Sequence, residues 1–388
     1  MKIIIIGTAY PMRGGIAHYV ALLYKVLVKR GHDVKIISFN RQYPSIFFPG
    51  KTQQDLSKET EPIPSEPLLD SIGPLSWIRT FLAIRNYQAD LVIFKYWMPF
   101  FAPCYAAISF LTRIFTETKI VYLCDNIIPH ERRIEDRLLT RIGLWNVHYF
   151  IVQSKTVKKD LLDFRSNAIY KEVPHPVYEI FSNPFTREQA RKHLNFNAED
   201  KIILFFGYIR RYKGLHHLLD AMPLVLKQIK VKLLIAGEFY DDEQQYREQI
   251  IKLGLNDFVA VHGDYIPNEQ VGLFYRAADV VVLPYISATQ SGIIQIAYNY
   301  DKPVITTDVG GLPEVVEEGK TGFIVPSENI EALAETIIKF FQVQNKINFA
   351  ENIKEYKKQF SWDRMAEEIE GFGRMTDHAK QSKWQSVI

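Results

Sequence analysis

The sequence has few cysteines, little net charge and no long apolar run. Its two cysteines, Cys104 and Cys124, match no zinc-binding spacing and are too few for a disulfide framework, so we expect a reducing compartment, the cytoplasm. A net charge of +3 over 388 residues is too small for a protein that coats nucleic acid, although it permits local basic patches that face phosphates. We therefore expect no nucleic-acid partner.

Apolar runs in the chain are short. The run at residues 3–6 stops at Gly7, far short of the apolar stretch of a signal peptide, and is typical of a buried strand. The most apolar segment is bracketed by Lys95, Arg113 and Lys119, so no stretch reaches the roughly 18 uncharged residues of a membrane span. The sequence predicts a globular protein that does not cross a bilayer.

Apolar and aromatic side chains, by contrast, are plentiful. The composition is 47% apolar and 23% charged, with 25 Phe, 21 Tyr and 5 Trp, which is enough for large buried cores and argues against general disorder. At roughly 150 residues per domain the length predicts two or three domains, and two is favoured because α/β domains run long.

Two segments of the chain open in the same way. KIIIIG at residues 2–7 and KIILFFG at residues 201–207 each predict a buried strand followed by a basic, glycine-containing loop. Apolar residues then follow at identical helical offsets, at 16, 19, 20, 23, 26 and 27 and at 215, 218, 219, 222, 225 and 226. Two such β-loop-α units, each leading to another strand, predict two parallel-sheet α/β domains.

Other apolar runs predict the remaining strands, at residues 34–39, 90–95, 119–124, 149–154, 231–237, 258–263, 280–285 and 303–308. Three prolines within residues 173–184 predict the domain boundary, with domains at 1–176 and 177–359. Residues 40–75 contain six prolines and no clear period, which predicts a long loop or lid. Residues 375–388 lose the apolar pattern and predict a mobile tail.

Basic and glycine residues stand where ligands collect in parallel sheets. Loops at the carboxyl ends of the strands bind ligands, and helix N-termini there offer N–H groups to anions. Gly14-Gly15 and Gly214 stand at such ends, and Arg210, Arg211 and Lys213 accompany the second loop. This pattern predicts that a phosphate-bearing ligand is held between the two domains. Turn geometry for the glycines and simple solvation of the cations are the alternative.

Three further features leave alternatives open. In the segment at residues 287–295, the N–H groups of Ser291 and Gly292 are placed to meet a diphosphate, while an N-cap role for Ser291 is equally supported. Glu314 either holds a sugar or stabilises its own helix N-terminus. For Arg13, which adds a cation to the first loop, solvation is favoured.

Taken in order, these segments resemble glycosyltransferase family four, the retaining GT-B transferases that take a sugar from a nucleotide donor. The resemblance covers nearly the whole chain and rests on PMRGGIAHYVALLYKVLVKRGHDVKIIS, CDNIIPHE, VPHPVYEIF, GYIRRYKGLHHLLDAM, HGDYIPNEQVGLFYRAADVVVLPY and DKPVITTDVGGLPEVVEEGKTGFIV. It implies an α/β GT-B fold with two Rossmann-like parallel-sheet domains facing across a cleft. FSWDRMAEEIEGF, at residues 360–372, is similar to the family's closing helix, so helix 360–374 is expected to rejoin the first domain.

The resemblance also implies a function. A UDP- or GDP-sugar donor would bind mainly to the C-terminal domain and a glycan or lipid-linked acceptor mainly to the N-terminal domain, in cell-surface polysaccharide or lipopolysaccharide synthesis. The chemistry would need no metal and no other cofactor. A noncatalytic nucleotide-sugar-binding protein is the alternative, and an epimerase or phosphorylase of the same fold is a third, less favoured one.

Catalytic residues are implied in the same way. In the family a basic pair steadies the leaving diphosphate, and Lys213 matches the lysine of that pair. Tyr208 occupies the usual position of the arginine, so Arg210, and second Arg211, is the expected substitute. Asp125 stands where many members carry a histidine near the reacting carbon, and we expect it to be catalytic together with Arg210 and Lys213.

The family's two glutamates, which usually hold the donor sugar and the ribose, are replaced here by Ala288 and Ile296. We expect neighbouring polar groups to bind the donor instead. The expected donor-binding residues beside the basic loop are Gly14, Gly15, Gln290, Ser291, Gly292 and Gln295, and the expected sugar or acceptor contacts are Asn126, His130, Thr289 and Glu314. His130 is alternatively a structural histidine.

The segment at residues 95–115 combines aromatic side chains with flanking basic residues. Core packing explains most of this pattern, and docking of the protein on the inner face of a membrane is the second interpretation.

Overall fold

The computed structural model describes residues 1–44, 52–55, 57–58, 63–129, 134–181 and 184–375, which form two lobes, each a parallel sheet covered by helices. The first lobe contains β1 (Lys2–Ile6), α1 (Gly15–Lys29), β2 (Asp33–Arg41), β3 (Glu66–Asp70), α2 (Pro74–Tyr87), β4 (Leu91–Tyr96), α3 (Ala102–Phe115), β5 (Lys119–Cys124), α4 (Asp136–Leu144), β6 (Tyr149–Val152), α5 (Lys155–Phe164) and β7 (Tyr170–Glu172). The second contains α6 (Arg187–His193), β8 (Ile202–Phe206), α7 (Leu215–Leu226), β9 (Lys232–Ala236), α8 (Glu243–Lys252), β10 (Val259–His262), α9 (Asn268–Ala277), β11 (Val280–Leu283), α10 (Gly292–Asn299), β12 (Val304–Thr307), β13 (Gly322–Val325), α11 (Ile330–Val343) and α12 (Phe349–Tyr356), and the chain continues into α13 (Trp362–Arg374).

Both sheets are parallel and wound in two directions from a central strand. Among the described residues the first sheet has the strand order β3-β2-β1-β4-β5-β6-β7 and the second β10-β9-β8-β11-β12-β13. The order reverses between β1 and β4 in the first sheet and between β8 and β11 in the second. Loops that leave a sheet on either side of such a reversal diverge, and the crevice between them is where ligands bind in open parallel sheets. The fold therefore directs attention to the loops after these four strands.

The two predicted helix-strand units form as the apolar pattern indicates. Strand β1 is buried from Ile3 onward, because helices cover both faces of a doubly wound sheet. Along α1 the predicted stripe buries Tyr19, Val20 and Leu23, and along α7 the equivalent stripe buries Leu218 and Leu219. The prediction of two parallel α/β sheets is confirmed.

The last helix returns to the first lobe. Helix α13 packs against α1 and β5, and its Glu370 carboxylate accepts hydrogen bonds from Arg30 (2.7 Å) and His32 (2.9 Å). These contacts lower the pKa of Glu370 to about 2, chiefly through the bond from Arg30. The exact division of the chain at residues 176 and 177 stays a prediction.

One prediction of the chain's organisation needs correction. Within residues 40–75, expected to be a loop or lid, strand β3 pairs in parallel with β2, and α2 begins at Pro74. The prolines made both elements look like a loop in the sequence. Pro67 has no N–H for strand pairing, but a strand at the edge of a sheet accommodates it. Pro74 stands in the first turn of α2, where proline is favoured. Residues 45–51, 56 and 59–62 of this segment, like residues 376–388 of the predicted tail, lie outside the described residues. Across the described ranges, no helix combines the length and the apolar character needed to span a bilayer.

Candidate active site

A cavity of about 370 Å³ lies between the two lobes. Its wall is built from the loops that follow β1, β4, β5 and β7 in the first lobe and β8, β9, β10 and β11 in the second. This volume falls in the range of small-molecule sites, and its position at the carboxyl ends of both sheets is the one that the fold favours. The cavity is therefore the candidate site.

The first lobe contributes backbone and a carboxylate. Gly14 and Gly15 line the cavity at the start of α1, where the first N–H groups of a helix have no partner within the helix. Gly14 has φ 106°, a conformation that side chains other than glycine rarely adopt. Asp125 and Asn126, directly after β5, line the same cavity. The arrangement offers N–H donors for an anion and a carboxylate beside them.

The second lobe contributes a buried cation. Lys213 lines the cavity at the end of a short turn, Arg211–Lys213, which Gly214 closes with φ 69°. The lysine is 8% exposed, and among the described residues no carboxylate lies within ion-pair distance of it. Burial, with a smaller contribution from the charge of Arg210, lowers the pKa of Lys213 to about 7. A bound anion would raise this pKa again, so the position of the lysine suits an anionic ligand.

The loop after β11 completes the wall beside this lysine. Residues 288–292 line the cavity, and the side chain of Gln290 reaches across to the first lobe, where Nε2 donates to Asp125 Oδ1 (2.8 Å). Thr289 Oγ1 donates to Asn126 Oδ1 in the same manner. The predicted sugar contacts of the two lobes therefore meet each other across the cleft.

Asp125 has a second partner that sequence reasoning missed. Lys95 Nζ, on β4, donates to Asp125 Oδ1 (2.5 Å) and stands 3.4 Å from the centre of the Tyr19 ring. Burial lowers the pKa of Lys95, and the Asp125 carboxylate opposes that shift. A buried lysine without such a partner would be costly, so the pair fixes the position of the carboxylate. The available signal was a lysine inside an otherwise apolar buried strand.

Another ion pair, unlike that of Lys95 and Asp125, joins the two lobes across the cleft. Arg13 Nη2 donates to Glu238 Oε2 (2.5 Å), and both side chains are almost completely buried. The Arg13 guanidinium also lies 4.6 Å from the centre of the Tyr265 ring and 5.7 Å from that of Tyr208. Arg13 is thus a buried, paired residue, and the expectation that it is merely solvated is wrong.

Arg210 faces a second, adjoining cavity of about 260 Å³. Arg13, Gly14, Gly15 and Tyr208 also line this cavity, and the Arg210 guanidinium lies 5.0 Å from the centre of the Tyr240 ring. The predicted basic pair, Arg210 and Lys213, is therefore divided between two neighbouring cavities that share the glycines of the first loop.

Two predicted donor-site residues, Arg211 and Gln295, line neither cavity. Arg211 is exposed and lines neither cavity, because residues two apart in a 3₁₀ turn point in different directions. Its assignment to the donor site stays a prediction. Gln295 is buried but does not line the cavity. It lies on a different face of α10 from the lining residues Gly292, Ile293 and Ile296.

Glu314 lines neither cavity and contacts a helix other than its own. Both of its carboxylate oxygens accept from the backbone N–H of Lys155 (3.1 Å each), at the start of α5 in the other lobe. A carboxylate at a helix N-terminus stabilises that helix, so the contact fastens the two lobes. His130, the remaining predicted contact, lies outside the described residues.

The two positions where the family carries glutamates do belong to the site. Ala288 and Ile296 both line the cavity, so this part of the wall is apolar where acids are usual. Other lining residues were not predicted as site residues, among them Trp97, His175, Tyr178 and Glu238. Their loops are far apart in the chain, and only the fold brings them together.

Comparison with known proteins agrees with this geometry. Residues 13–177 match the model described as Glycosyltransferase Family 4, and residues 186–360 match Glycosyl transferases group 1. An uncharacterized glycosyltransferase of Methanocaldococcus jannaschii is 23% identical over 95% of this chain and 96% of its own length. A D-inositol 3-phosphate glycosyltransferase of Corynebacterium urealyticum is 30% identical over 47% of this chain and 45% of its own.

Solved structures share the fold over nearly the whole chain. Sucrose-phosphate synthase from Thermosynechococcus elongatus superposes with a TM-score of 0.73 at 21% identity, covering 96% of this chain and 98% of that one. HepE from Anabaena in complex with UDP gives 0.72 at 18% identity, covering 96% and 99%. The two sheets, the cleft between them and the two family models that cover both lobes lead to one conclusion: the chain belongs to glycosyltransferase family four, with the GT-B fold, and is a transferase.

Proposed function

We propose that this enzyme is a retaining glycosyltransferase that moves a sugar from a UDP- or GDP-sugar to a glycan or lipid-linked acceptor in cell-surface polysaccharide or lipopolysaccharide synthesis. The observation that carries the proposal is the buried Lys213, which faces the first-lobe glycines Gly14 and Gly15 across one cavity. Free N–H groups and a cation on opposite walls are what a diphosphate requires. The Anabaena neighbour binds UDP, which supports the same kind of donor.

In the proposed reaction the bond between the anomeric carbon and the diphosphate oxygen breaks, and its electron pair stays on that oxygen. Lys213, which is itself almost completely buried, stabilises the charge that develops there. The acceptor hydroxyl oxygen forms the new bond on the same face of the sugar, and its proton passes to the departing phosphate oxygen. Because the protein's own cations neutralise the leaving group, we propose that no metal and no other cofactor takes part.

We propose that Asp125 opposes the positive charge that develops at the anomeric carbon. Its carboxylate lines the cavity and is held by Lys95 from behind and by Gln290 from the other lobe. A carboxylate fixed in this way does not have to reorganise as charge develops. Thr289, Gln290 and Asn126 are then the sugar-contacting residues, and Ser291 and Gly292 offer N–H groups to the donor.

A transfer assay tests this proposal directly. The wild-type protein and the variants Lys213→Ala and Arg210→Ala are given UDP- and GDP-sugars with candidate acceptors, and both the released nucleotide and the anomeric configuration of the product are measured. We expect a product that retains the donor's configuration, unchanged rates in EDTA, and slower transfer by the variants. An inverted product, or full activity in both variants, would contradict the assignment.

We also propose that this cytoplasmic enzyme docks on the inner face of a membrane through α2, α3 and α4. Helix α3 packs against both neighbours, and the three helices expose apolar side chains at helical spacing. These are Leu75, Ile78, Leu82, Phe110, Ile114, Leu138, Ile142 and Trp145. The exposed Arg79, Arg113, Arg137 and Arg141 lie on the same helices. Apolar side chains with arginines beside them favour an anionic lipid surface.

Liposome flotation distinguishes this surface from ordinary exposure. We expect the wild-type protein to float with phosphatidylglycerol vesicles at low salt, and Leu138→Glu with Trp145→Glu to remain in solution. Ile251→Glu, which adds an acid at an equally exposed position on α8 of the second lobe, is the matched control and should still float. Equal flotation of all three proteins would remove the proposed surface.

A further inference from the structure

The first cavity has little positive charge of its own. In the part of the chain that the structure describes, its lining includes one lysine, Lys213, and two carboxylates, Asp125 and Glu238. Tyr208 stands at the strand end where the family has its arginine, and Arg210 faces the neighbouring cavity. A donor diphosphate brings at least two further negative charges. A second cation close to this wall would therefore stabilise the bound diphosphate further.

Arg13 and Arg210 both line the second cavity rather than the first, and the Arg210 guanidinium lies over Tyr240, which lines the second cavity alone. Arg13 is the cation whose guanidinium contacts three residues of the first cavity's wall. Its guanidinium crosses from the first lobe, lies near the rings of Tyr208 and Tyr265, and bonds Glu238, a residue of the cavity wall. In sequence it directly precedes Gly14, which lines both cavities. It thus lies next to the residue that replaces the family's arginine, although it comes from the opposite lobe.

We propose that Arg13 is the second diphosphate-binding cation of this enzyme, supplied by the first lobe in place of the arginine that the second lobe lacks at Tyr208. This inference rests on the proposed function. Glu238 holds the guanidinium in place before the donor enters, and a planar guanidinium has five N–H donors, so it can contact phosphate oxygens while it keeps its carboxylate partner. When the glycosyl bond breaks and its electrons remain on the diphosphate oxygen, Arg13 and Lys213 share that charge.

The competing role for Arg13 is a purely structural one, as a tie between the lobes. The two roles differ in how they treat the second phosphate. If Arg13 only joins the two lobes, its loss should weaken binding of every nucleotide in the cleft. If Arg13 binds the diphosphate, its loss should weaken binding of nucleoside diphosphates more than that of monophosphates. Calorimetric titration with UDP, UMP, GDP and GMP separates them.

We expect Arg13→Gln to weaken binding of the preferred diphosphate at least tenfold and to change binding of its monophosphate less than twofold. Arg13→Lys, which keeps the charge, should recover part of the loss. Glu238→Gln weakens the tie, keeps an acceptor oxygen that can position the guanidinium and removes a negative charge from the cavity wall, so it should bind the diphosphate as tightly as wild type or more tightly. Arg41→Gln, which breaks another arginine–carboxylate pair of the first lobe outside both cavities, is the matched control and should bind normally.

Equal weakening of diphosphate and monophosphate binding in Arg13→Gln, together with a matching loss in Glu238→Gln, would overturn the inference and leave Arg13 as a structural tie. A wild-type protein that binds none of the four nucleotides would overturn the proposed function as well. The two failures are therefore distinguishable. If Arg13→Gln does not fold, Arg13→Lys and Glu238→Gln give the same distinction.

Discussion

The two glycine loops follow equivalent strands and lead into equivalent helices, yet they place their cations in opposite ways. The first loop sends the Arg13 side chain across the cleft, where it bonds Glu238 of the other lobe. The second loop keeps Lys213 on its own lobe, buried and without a carboxylate partner among the described residues. The same backbone plan therefore gives one paired cation and one that can accept an anion. The equal spacing of glycine and apolar residues gives the two loops the same backbone arrangement, and the contacts of each cation decide whether it can bind an anion.

The glycines of the loops differ in the same sense. A Cβ added to Gly214 would lie 1.8 Å from the carbonyl oxygen of Pro284, so the second loop is packed tightly against its own lobe. At Gly14 the nearest atom would be the hydroxyl of Tyr208 at 3.5 Å, across the cleft. The first loop is thus open toward the second lobe, and the second is closed.

The largest effect, on the stability of the fold, should come from replacing Lys95. Lys95 is the buried lysine of the first lobe, and it is paired with Asp125. Lys95→Met leaves the Asp125 carboxylate without its cation, and we expect the free energy of unfolding in urea to fall by about 3–5 kcal/mol. Adding Asp125→Leu removes the uncompensated charge, so the double variant should regain much of that stability while remaining inactive. A loss below about 1 kcal/mol in Lys95→Met would show that the pair does not fix the carboxylate.

Removing the unpaired cation should affect turnover more than stability. We expect Lys213→Ala to lower the transfer rate about 100-fold, because one preformed donor to the developing charge is lost. Lys302 is the matched control, since burial also lowers its pKa, to about 8, but it donates to Ala278 O outside both cavities. Equal rates for Lys213→Ala and Lys302→Ala would place the leaving-group charge elsewhere.

The tight packing of the second loop against its own lobe can be tested at Gly214. We expect Gly214→Ala to reduce the free energy of unfolding by about 3 kcal/mol, since it combines a left-handed backbone with a clash against Pro284. Gly254→Ala has nearly the same φ, 67°, and no atom within 4 Å of its added Cβ, so it should cost only about 1 kcal/mol. Urea unfolding of the two variants measures the difference, and equal losses would mean that packing at Gly214 contributes nothing.

The smallest effect is on pH dependence. With a pKa of about 7, Lys213 of the empty protein is charged below pH 7 and neutral above it, while a bound diphosphate requires the charged form. Affinity for a nucleotide sugar, whose diphosphate does not titrate in this range, should therefore fall about tenfold between pH 6 and pH 8. Binding should take up a proton above pH 7, which calorimetry in buffers of different ionisation enthalpy detects. Lys213→Met should show a flat profile, and a sloping one would assign the titration to another group.

Much of the fold could be predicted because apolar strands and helical stripes are local signals. The strands at both sheet centres, the paired glycine loops and the lysine before Gly214 all follow from short-range pattern. Strand β3 could not be found, since its proline and its position at a sheet edge weaken the pattern.

The site was predictable residue by residue but not in its side-chain pairing. Gly14, Asp125 and Lys213 line the cavity as the sequence indicated, but the Lys95 bond to Asp125 and the Arg13 bond to Glu238 join residues that are 30 and 225 positions apart. No periodicity encodes such pairs. For the same reason neither interpretation of Glu314, as a sugar contact or as a stabiliser of its own helix, included its bond to the N–H of Lys155 in the other lobe.

One measurement bears most directly on the central claim that the cleft binds a nucleotide sugar through its diphosphate. In a thermal-shift screen of UDP- and GDP-sugars, a ligand that binds only the folded state raises the Tm by mass action. We predict that members of one of these two nucleotide classes raise the Tm of the wild-type protein, and that the shift is much smaller in Lys213→Ala but intact in Lys302→Ala. No shift with any nucleotide sugar, or an equal shift in all three proteins, would contradict the account.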